Sequence, residues 1–299
     1  LAVLAVVLFH YTERIPYKHL GYDQPLLDGI FSWGWIGPYW FFIVSGYCMA
    51  ASIERTRDAI EFLGKRVSRI YPAYAVAILL ILLFFTFVPA FSDPTAHYNT
   101  ALVTFPDVVA NFLFAIDLGF DWIDGAFWTL LVELKFYLFL ALLYFWMCSK
   151  KMARVIALLS LASAVLGVAW LVIRFVFQSA GPAQIADSVL TQVLIAPYLP
   201  FFALGLAVIE YRTRRSSFFL VAMITLSLVC CAVVLAAGIG NGYEHEKPLL
   251  SVGVFAFISL VFYALTGGEA VQRLGNSRPA RLLSRPFLYL GSVSYTWYL

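Results

Sequence analysis

Nine apolar runs, at residues 1–11, 33–52, 70–90, 126–147, 155–177, 189–209, 218–237, 249–266 and 287–299, leave this chain little choice of fold. A helix needs about 20 apolar residues to cross a hydrocarbon core, and seven of the runs reach or approach that length. The runs are continuous rather than alternating, which argues for spanning helices and against a β-barrel. The first and last are too short to cross and are read as parts of longer spans. Charged residues make up 12% of the chain, against roughly 25% in average soluble proteins. No stretch is left over for a sizeable soluble domain. The expected fold class is all-α, a polytopic transmembrane helix bundle with about nine spans visible, forming a single domain over residues 1–299.

Basic residues orient the runs. Fifteen of the twenty lie on alternate connections, at 54–69, 149–154, 210–216 and 268–285, and the remaining connections hold only Arg14, Lys18 and Lys247. By the positive-inside rule the basic connections face the cytoplasm and the first run travels outward. The same alternation puts His10, His19, His97 and His245 at or beyond the outer face. It makes 88–125 an outer segment, with Asp93, Asp107, Asp117, Asp121 and Asp124 and no Lys or Arg. Within it, 108–116 is apolar but too short to span, and reads as a re-entrant or interfacial helix. No basic, aromatic-interleaved tract points to nucleic acid. Cys48, Cys148, Cys230 and Cys231 show no metal-ligand spacing and read as small apolar fillers. No inverted repeat of the kind found in many transporters is visible.

Glu133 breaks this pattern. It lies near the middle of the 126–147 run, within FWTLLVELKFY at 127–137. A charged side chain at bilayer depth costs about 2.5–3.5 kcal/mol on insertion scales. Glu133 is therefore expected to face the protein interior or a watery cavity, with a partner. Thr129, Phe136 and Tyr137 lie three or four residues away on a helix and share its face, with Trp128 close by. Lys135 points elsewhere and is expected to snorkel towards a headgroup region. An interhelical structural pair is one reading of Glu133, and a polar group in a reaction or transport cavity is the other.

Three further stretches carry chemistry. His10 closes the first run, with Glu13 three residues on. A neutral imidazole takes a hydroxyl proton near pH 7, and a carboxylate can fix its tautomer; an interfacial His in headgroup water is the alternative. In KRVSRIYP, at 65–72, Arg66 and Arg69 share a helical face beside Lys65. Two guanidinium groups suit phosphate, and equally suit a positive-inside anchor or an anionic-lipid contact. In FFIVSGY, at 41–47, Ser45 and Gly46 allow close helix packing.

The order of these stretches is more telling than any one of them. A His-ended first run, FFIVSGY, KRVSRIYP, FWTLLVELKFY and a late SVSYTWYL at 292–299 resemble, in sequence, the motifs of the acyltransferase-3 family of integral membrane O-acyltransferases. The likeness covers nearly the whole chain. It implies an Arg-Gly-type start upstream of the His and one more span after the last motif, ten in all, so the sequence is read as an excerpt. Lys135 stands where the family commonly has a less charged residue.

The resemblance implies transfer of an acyl group, most often acetyl, from cytoplasmic acyl-CoA to a hydroxyl of a cell-surface or lipid-linked carbohydrate. No bound cofactor and no metal are implied; acyl-CoA is a donor substrate, and membrane lipids are the other partners. By the same resemblance His10 is the catalytic His and Glu133 the acid of its segment. Arg66, Arg69 and Lys65 hold the CoA phosphates, and Glu13, Ser45, Trp128, Tyr137 and Tyr295 line or support the cavity. The implied location is a bacterial inner (plasma) membrane, crossed many times. Charges at membrane depth leave a secondary transporter or glycan flippase as the alternative, and a catalytically dead scaffold as a third.

Overall fold

A computed structural model describes residues 2–14, 31–87, 103–147, 152–177, 181–213, 217–237 and 252–260. All regular structure among them is helical. Helix α1 (Ala2–Phe9) runs on into a π-helical turn at His10–Arg14. A 3-10 turn (Ser32–Ile36) leads into α2 (Gly37–Glu54), which has Pro at its first turn. Then come α3 (Ala59–Phe87), α4 (Phe105–Phe112), α5 (Trp128–Met147) and α6 (Met152–Leu171). Helices α7 (Pro182–Ser188), α8 (Leu199–Thr213) and α9 (Phe218–Ala236) follow, and residues 252–260 are helical. Several starts are written in the sequence. Ser217 accepts from the Leu220 N–H at α9, and Asp124 accepts from the Ala126 N–H just before α5, each satisfying an otherwise orphan donor.

Helices α2, α5 and α8 run parallel and form the centre. Tyr39 and Phe42 meet Tyr198, Phe201 and Phe202, Phe42 meets Trp128, and Phe136 stacks on Phe202 with centroids 3.8 Å apart. Helix α3 lies antiparallel to α5, with Tyr74 against Phe127 at the start of α5 and Phe62 against Tyr137 halfway along it. Two glycines let α2 and α8 approach. A Cβ on Gly46 would sit 2.2 Å from the Phe202 carbonyl oxygen, and one on Gly205 would sit 2.0 Å from that of Ile43. The packing role expected of Gly46 is thus present, and Gly205 answers it from α8. Gly46→Ala is expected to lower stability by about 1–3 kcal/mol or more, since overpacked cores lose that much. Gly167→Ala, where a Cβ meets nothing within 4 Å, is expected to leave the thermal midpoint in detergent unchanged or raised. Equal midpoints for the two variants would contradict the close approach.

Four helical segments are long and apolar enough to cross a membrane by length and composition: Ala59–Phe84, Gly125–Tyr144, Arg154–Val176 and Phe218–Ala236. Their outward residues are apolar, as on α3 (Leu79, Leu80, Leu83, Phe84) and α6 (Leu161, Val165, Val168). Other runs differ from the uniform spans expected. The 70–90 run belongs to a 29-residue helix that begins at Ala59. At 1.5 Å per residue that is roughly 44 Å, longer than the ~30 Å hydrocarbon core, so its first turns continue beyond it. The 189–209 run is not one helix. A π-helical turn at Val189–Val193 ends before Leu194–Tyr198, and α8 begins only at Leu199. Pro197, which lacks an N–H, sits in that break. The short helix expected at 108–116 is α4, displaced towards its N-terminus. The run at 287–299, Asp93, His19, His97 and His245 lie outside the described residues.

Candidate active site

Glu133 has the partner its depth demands. Its Oε1 accepts from Ser45 Oγ at 2.9 Å and from the Tyr137 hydroxyl, and those two hydroxyl oxygens are 3.3 Å apart. Tyr137 comes from the next turn of α5, as helical spacing requires; Ser45 comes from α2. Ser45 and Tyr137 are buried. Two charge-assisted hydrogen bonds offset the desolvation of the carboxylate. FFIVSGY and FWTLLVELKFY thus meet in one cluster, in which Gly46 supplies the packing and Ser45 the polar contact.

KRVSRIYP joins the same face of α2. Arg66 donates to Ser52 Oγ, lies 5.9 Å from the Phe62 ring centroid, and keeps an enclosed Nε with no partner among the described residues. Ser45, Cys48 and Ser52 stand three and four residues apart, on one face of α2. Arg66, Arg69 and Glu133 are all within electrostatic reach of Cys48, and Arg66 within reach of Tyr137. The two arginines are not equivalent, however: Arg66 is half-buried and turned to α2, whereas Arg69 is exposed. Lys65 pairs with Glu61 at 2.7 Å, one turn back on α3. The cysteines are free thiols where described; Cys231 is a buried filler as expected, but Cys48 is exposed.

Lys135 departs from expectation. It does not snorkel but forms an ion pair with Asp117 and donates to the Gln192 carbonyl. A partly buried ammonium is stabilised better by a carboxylate within reach than by a distant headgroup. The tie stands at the rim of a cleft of about 340 Å³ between the 116–122 loop, α5 and the 191–198 segment. Trp128 lines it, packed 5.5 Å from Tyr198.

The loop that delivers Asp117 is itself fastened. Thr104 and Asp107 make a capping box at α4, and Asp107 also accepts from the Asp121 N–H at 3.0 Å. Asn111, fully buried, donates to the Asp107 and Asp121 carbonyls and accepts from the Ile123 N–H. Its own carbonyl accepts from the Tyr74 hydroxyl of α3. The Thr104 hydroxyl, then the Asp121 and Thr104 N–H groups, hold the Asp107 carboxyl below the usual range against a smaller cost of desolvation. The charged form is the one the fold favours. Its stabilisation is complete above the unfolded carboxyl value of about 3.9 and is lost as pH falls through the lower folded value. The thermal-midpoint gap between wild type and Asp107→Asn is therefore expected to be constant above about pH 5 and to shrink below about pH 4. A gap that varies between about pH 5 and pH 8 would assign the stabilisation to another group.

His10 stands half-buried at the end of α1, edge-on to Phe9 with ring centroids 5.7 Å apart. Helix α1 packs on the 32–36 turn and on α2; a Cβ on Gly34 would meet the Ala5 carbonyl at 2.4 Å and Phe9 Cβ at 2.7 Å. This puts His10 at the end of the bundle where α2, α5 and α8 begin, the end that holds Trp128 and Tyr198. Arg66 reaches away from that end, to Ser52 near the close of α2, and Arg69 lies on α3 between Phe62, which meets Tyr137, and Tyr74, which meets Phe127. Glu13 follows His10 in the π-helical turn. Tyr295 lies outside the described residues.

The family profile described as an acyltransferase domain, acyltransferase-3, matches residues 1–299. The chain belongs to the acyltransferase-3 family. It is a membrane protein and an O-acyltransferase. It is 23% identical over 296 residues to a protein of Acidianus two-tailed virus named provisionally as an acetyltransferase, covering 95% of this chain and 77% of that one. It is 29% identical over 144 residues to the O-acetyl transferase of Shigella phage Sf6, covering 46% of this chain and 41% of that one. No solved structure matches the chain.

Several residues that shape this acyltransferase's site were not singled out from sequence. Ser52, Asp117, Thr191 and Tyr198 carry no motif of their own. Gly205 could have been found as a small residue in an apolar run, and the break at Leu194–Tyr198 from Pro197 and Pro200.

Proposed function

We propose that this acyltransferase moves an acetyl group from cytoplasmic acetyl-CoA to a hydroxyl of a cell-surface or lipid-linked carbohydrate. The acetyl group is favoured by the names of both relatives. The donor reading rests on one observation, the polar line along α2 from Ser45 at the Glu133 cluster, past Cys48, to Ser52 and Arg66. At 1.5 Å per residue, Ser45 and Ser52 are about 10 Å apart along the axis. A CoA whose phosphates sit at Arg66 and Arg69 could extend its thioester arm along that line. In the reaction the acceptor hydroxyl oxygen attacks the thioester carbonyl carbon as His10 takes its proton. The new C–O bond forms, the C–S bond breaks, and CoA leaves as a thiolate that then takes up a proton. Basic residues concentrated at the Arg66 end favour its facing the cytoplasm.

The purified full chain is expected to release free CoA from acetyl-CoA, and release should rise with a carbohydrate acceptor. No release under either condition sinks the reading. Arg69→Ala is expected to raise the KM for acetyl-CoA by about 10–100-fold with little loss of kcat, since a charge-assisted hydrogen bond is worth about 1.5–3 kcal/mol. Arg69→Lys should recover only part, lacking the planar fork. An unchanged KM in the alanine variant makes Arg69 a lipid anchor.

A further inference from the structure

The cleft at the Trp128 end of α5 is not used by the donor line just described. Its lining combines aromatic faces with hydrogen-bonding groups: Trp122, Trp128 and Tyr198 alongside Asp117, Lys135 and Thr191. The charged pair cancels, because Lys135 is bonded to Asp117. A neutral lining favours an uncharged ligand over a phosphate or carboxylate. Thr191 Oγ1 is enclosed and has no partner among the described residues, so the hydroxyl gains a partner if its side chain rotates towards a ligand in the cleft. About 340 Å³ stands at the low end of the roughly 300–1,000 Å³ of small-molecule sites. That suits one sugar ring and is cramped for a lipid chain.

The walls are also built from irregular backbone. Thr191 and Gln192 belong to the π-helical turn Val189–Val193, a form found frequently at functional sites. Ile195, just after it, has φ +46°, and Phe114, just before the 116–118 turn, has φ +54°. A β-branched or bulky residue in the left-handed region is strained, and such strain persists only where surrounding structure enforces it. Both strained positions carry the chain directly into the cleft wall.

We propose that this cleft binds one neutral pyranose ring of the acceptor, its apolar face against Trp122 and Trp128 and its hydroxyls towards Thr191 and the Lys135–Asp117 pair. The assignment rests on the carbohydrate-acceptor reading. Sugar rings have one face of C–H groups and a rim of hydroxyls, and the cleft offers an aromatic surface with polar groups at its edge. Lys135 is a positioning residue here, holding the 116–122 loop and the 191–193 turn to α5.

Saturation-transfer NMR on the full chain in detergent tests this, with methyl glycosides of glucose, galactose and rhamnose as probes and glucose 6-phosphate as competitor. At least one methyl glycoside is expected to bind. Its affinity should fall about tenfold or more in Trp122→Ala and about 2–10-fold in Thr191→Val, which removes a hydroxyl at constant shape. Binding by no methyl glycoside, or unchanged binding in both variants, overturns the assignment. So does displacement by glucose 6-phosphate at a concentration where the methyl glycosides do not compete, which would make the cleft an anion site. Acetyl-CoA hydrolysis by the wild type is measured in parallel. If CoA is released while the glycoside arm fails, the cleft assignment falls and acetyl transfer stands; if no CoA is released, the reaction itself is wrong.

Discussion

Changing His10 to Gln is expected to cut acetyl transfer to carbohydrate by about 10²–10⁴, the range that general-base assistance supplies. A sugar hydroxyl is a weak nucleophile until its proton leaves, and imidazole is the side chain best matched to that step near neutral pH. His10 stands at the bundle end that carries the aromatic cleft, and Arg66 reaches away from it towards Ser52. The loss should therefore fall on kcat, with the KM for acetyl-CoA within about threefold of wild type. Gln keeps the approximate size of the imidazole and a hydrogen-bonding end, so the packing of α1 on Gly34 should survive. Normal abundance and an unchanged thermal midpoint would show that. A His10→Gln protein that turns over near the wild-type rate would make His10 an interfacial residue.

How far such roles can be read before a structure exists depends on the range of the interaction. Tyr137 was legible because it lies one helical turn from Glu133, and periodicity alone puts both on one face. Ser45 was legible only as part of FFIVSGY; nothing in α2 itself says which helix it faces. The Lys135–Asp117 pair was not legible. Asp117 comes from a loop whose path is set by Asp107 and Asn111, and hydropathy has no term for such a loop. Without that partner, snorkelling was the lowest-cost option for an ammonium in an apolar run. The 189–209 run looked like one span because a π turn and an α turn have the same composition. Only Pro197 and Pro200 mark the interruption, and the segment around it supplies Thr191, Gln192 and Tyr198 to the cleft wall.

The Glu133 cluster carries the other large expectation. Glu133→Ala leaves the hydroxyls of Ser45 and Tyr137 buried without their acceptor. An unsatisfied group costs about 1–3 kcal/mol, and because the two hydroxyls lie 3.3 Å apart and can bond each other, a loss of about that size is expected. That result alone would fit a purely structural pair. Glu133→Gln separates the two readings. The amide keeps an oxygen that can accept from Tyr137 and Ser45, so the fold should persist within about 1–2 kcal/mol. What it loses is the negative charge beside the line from Ser45 to Arg66. If that charge sets the electrostatics of the reacting centre, kcat should fall by about 10²-fold or more in a folded protein. Ser45→Ala combined with Glu133→Gln should then be far from additive, because both changes act on one hydrogen-bonded unit. A folded Glu133→Gln variant with wild-type kcat would leave Glu133 as the pin between α2 and α5, and would place the chemistry at His10 and the thioester alone.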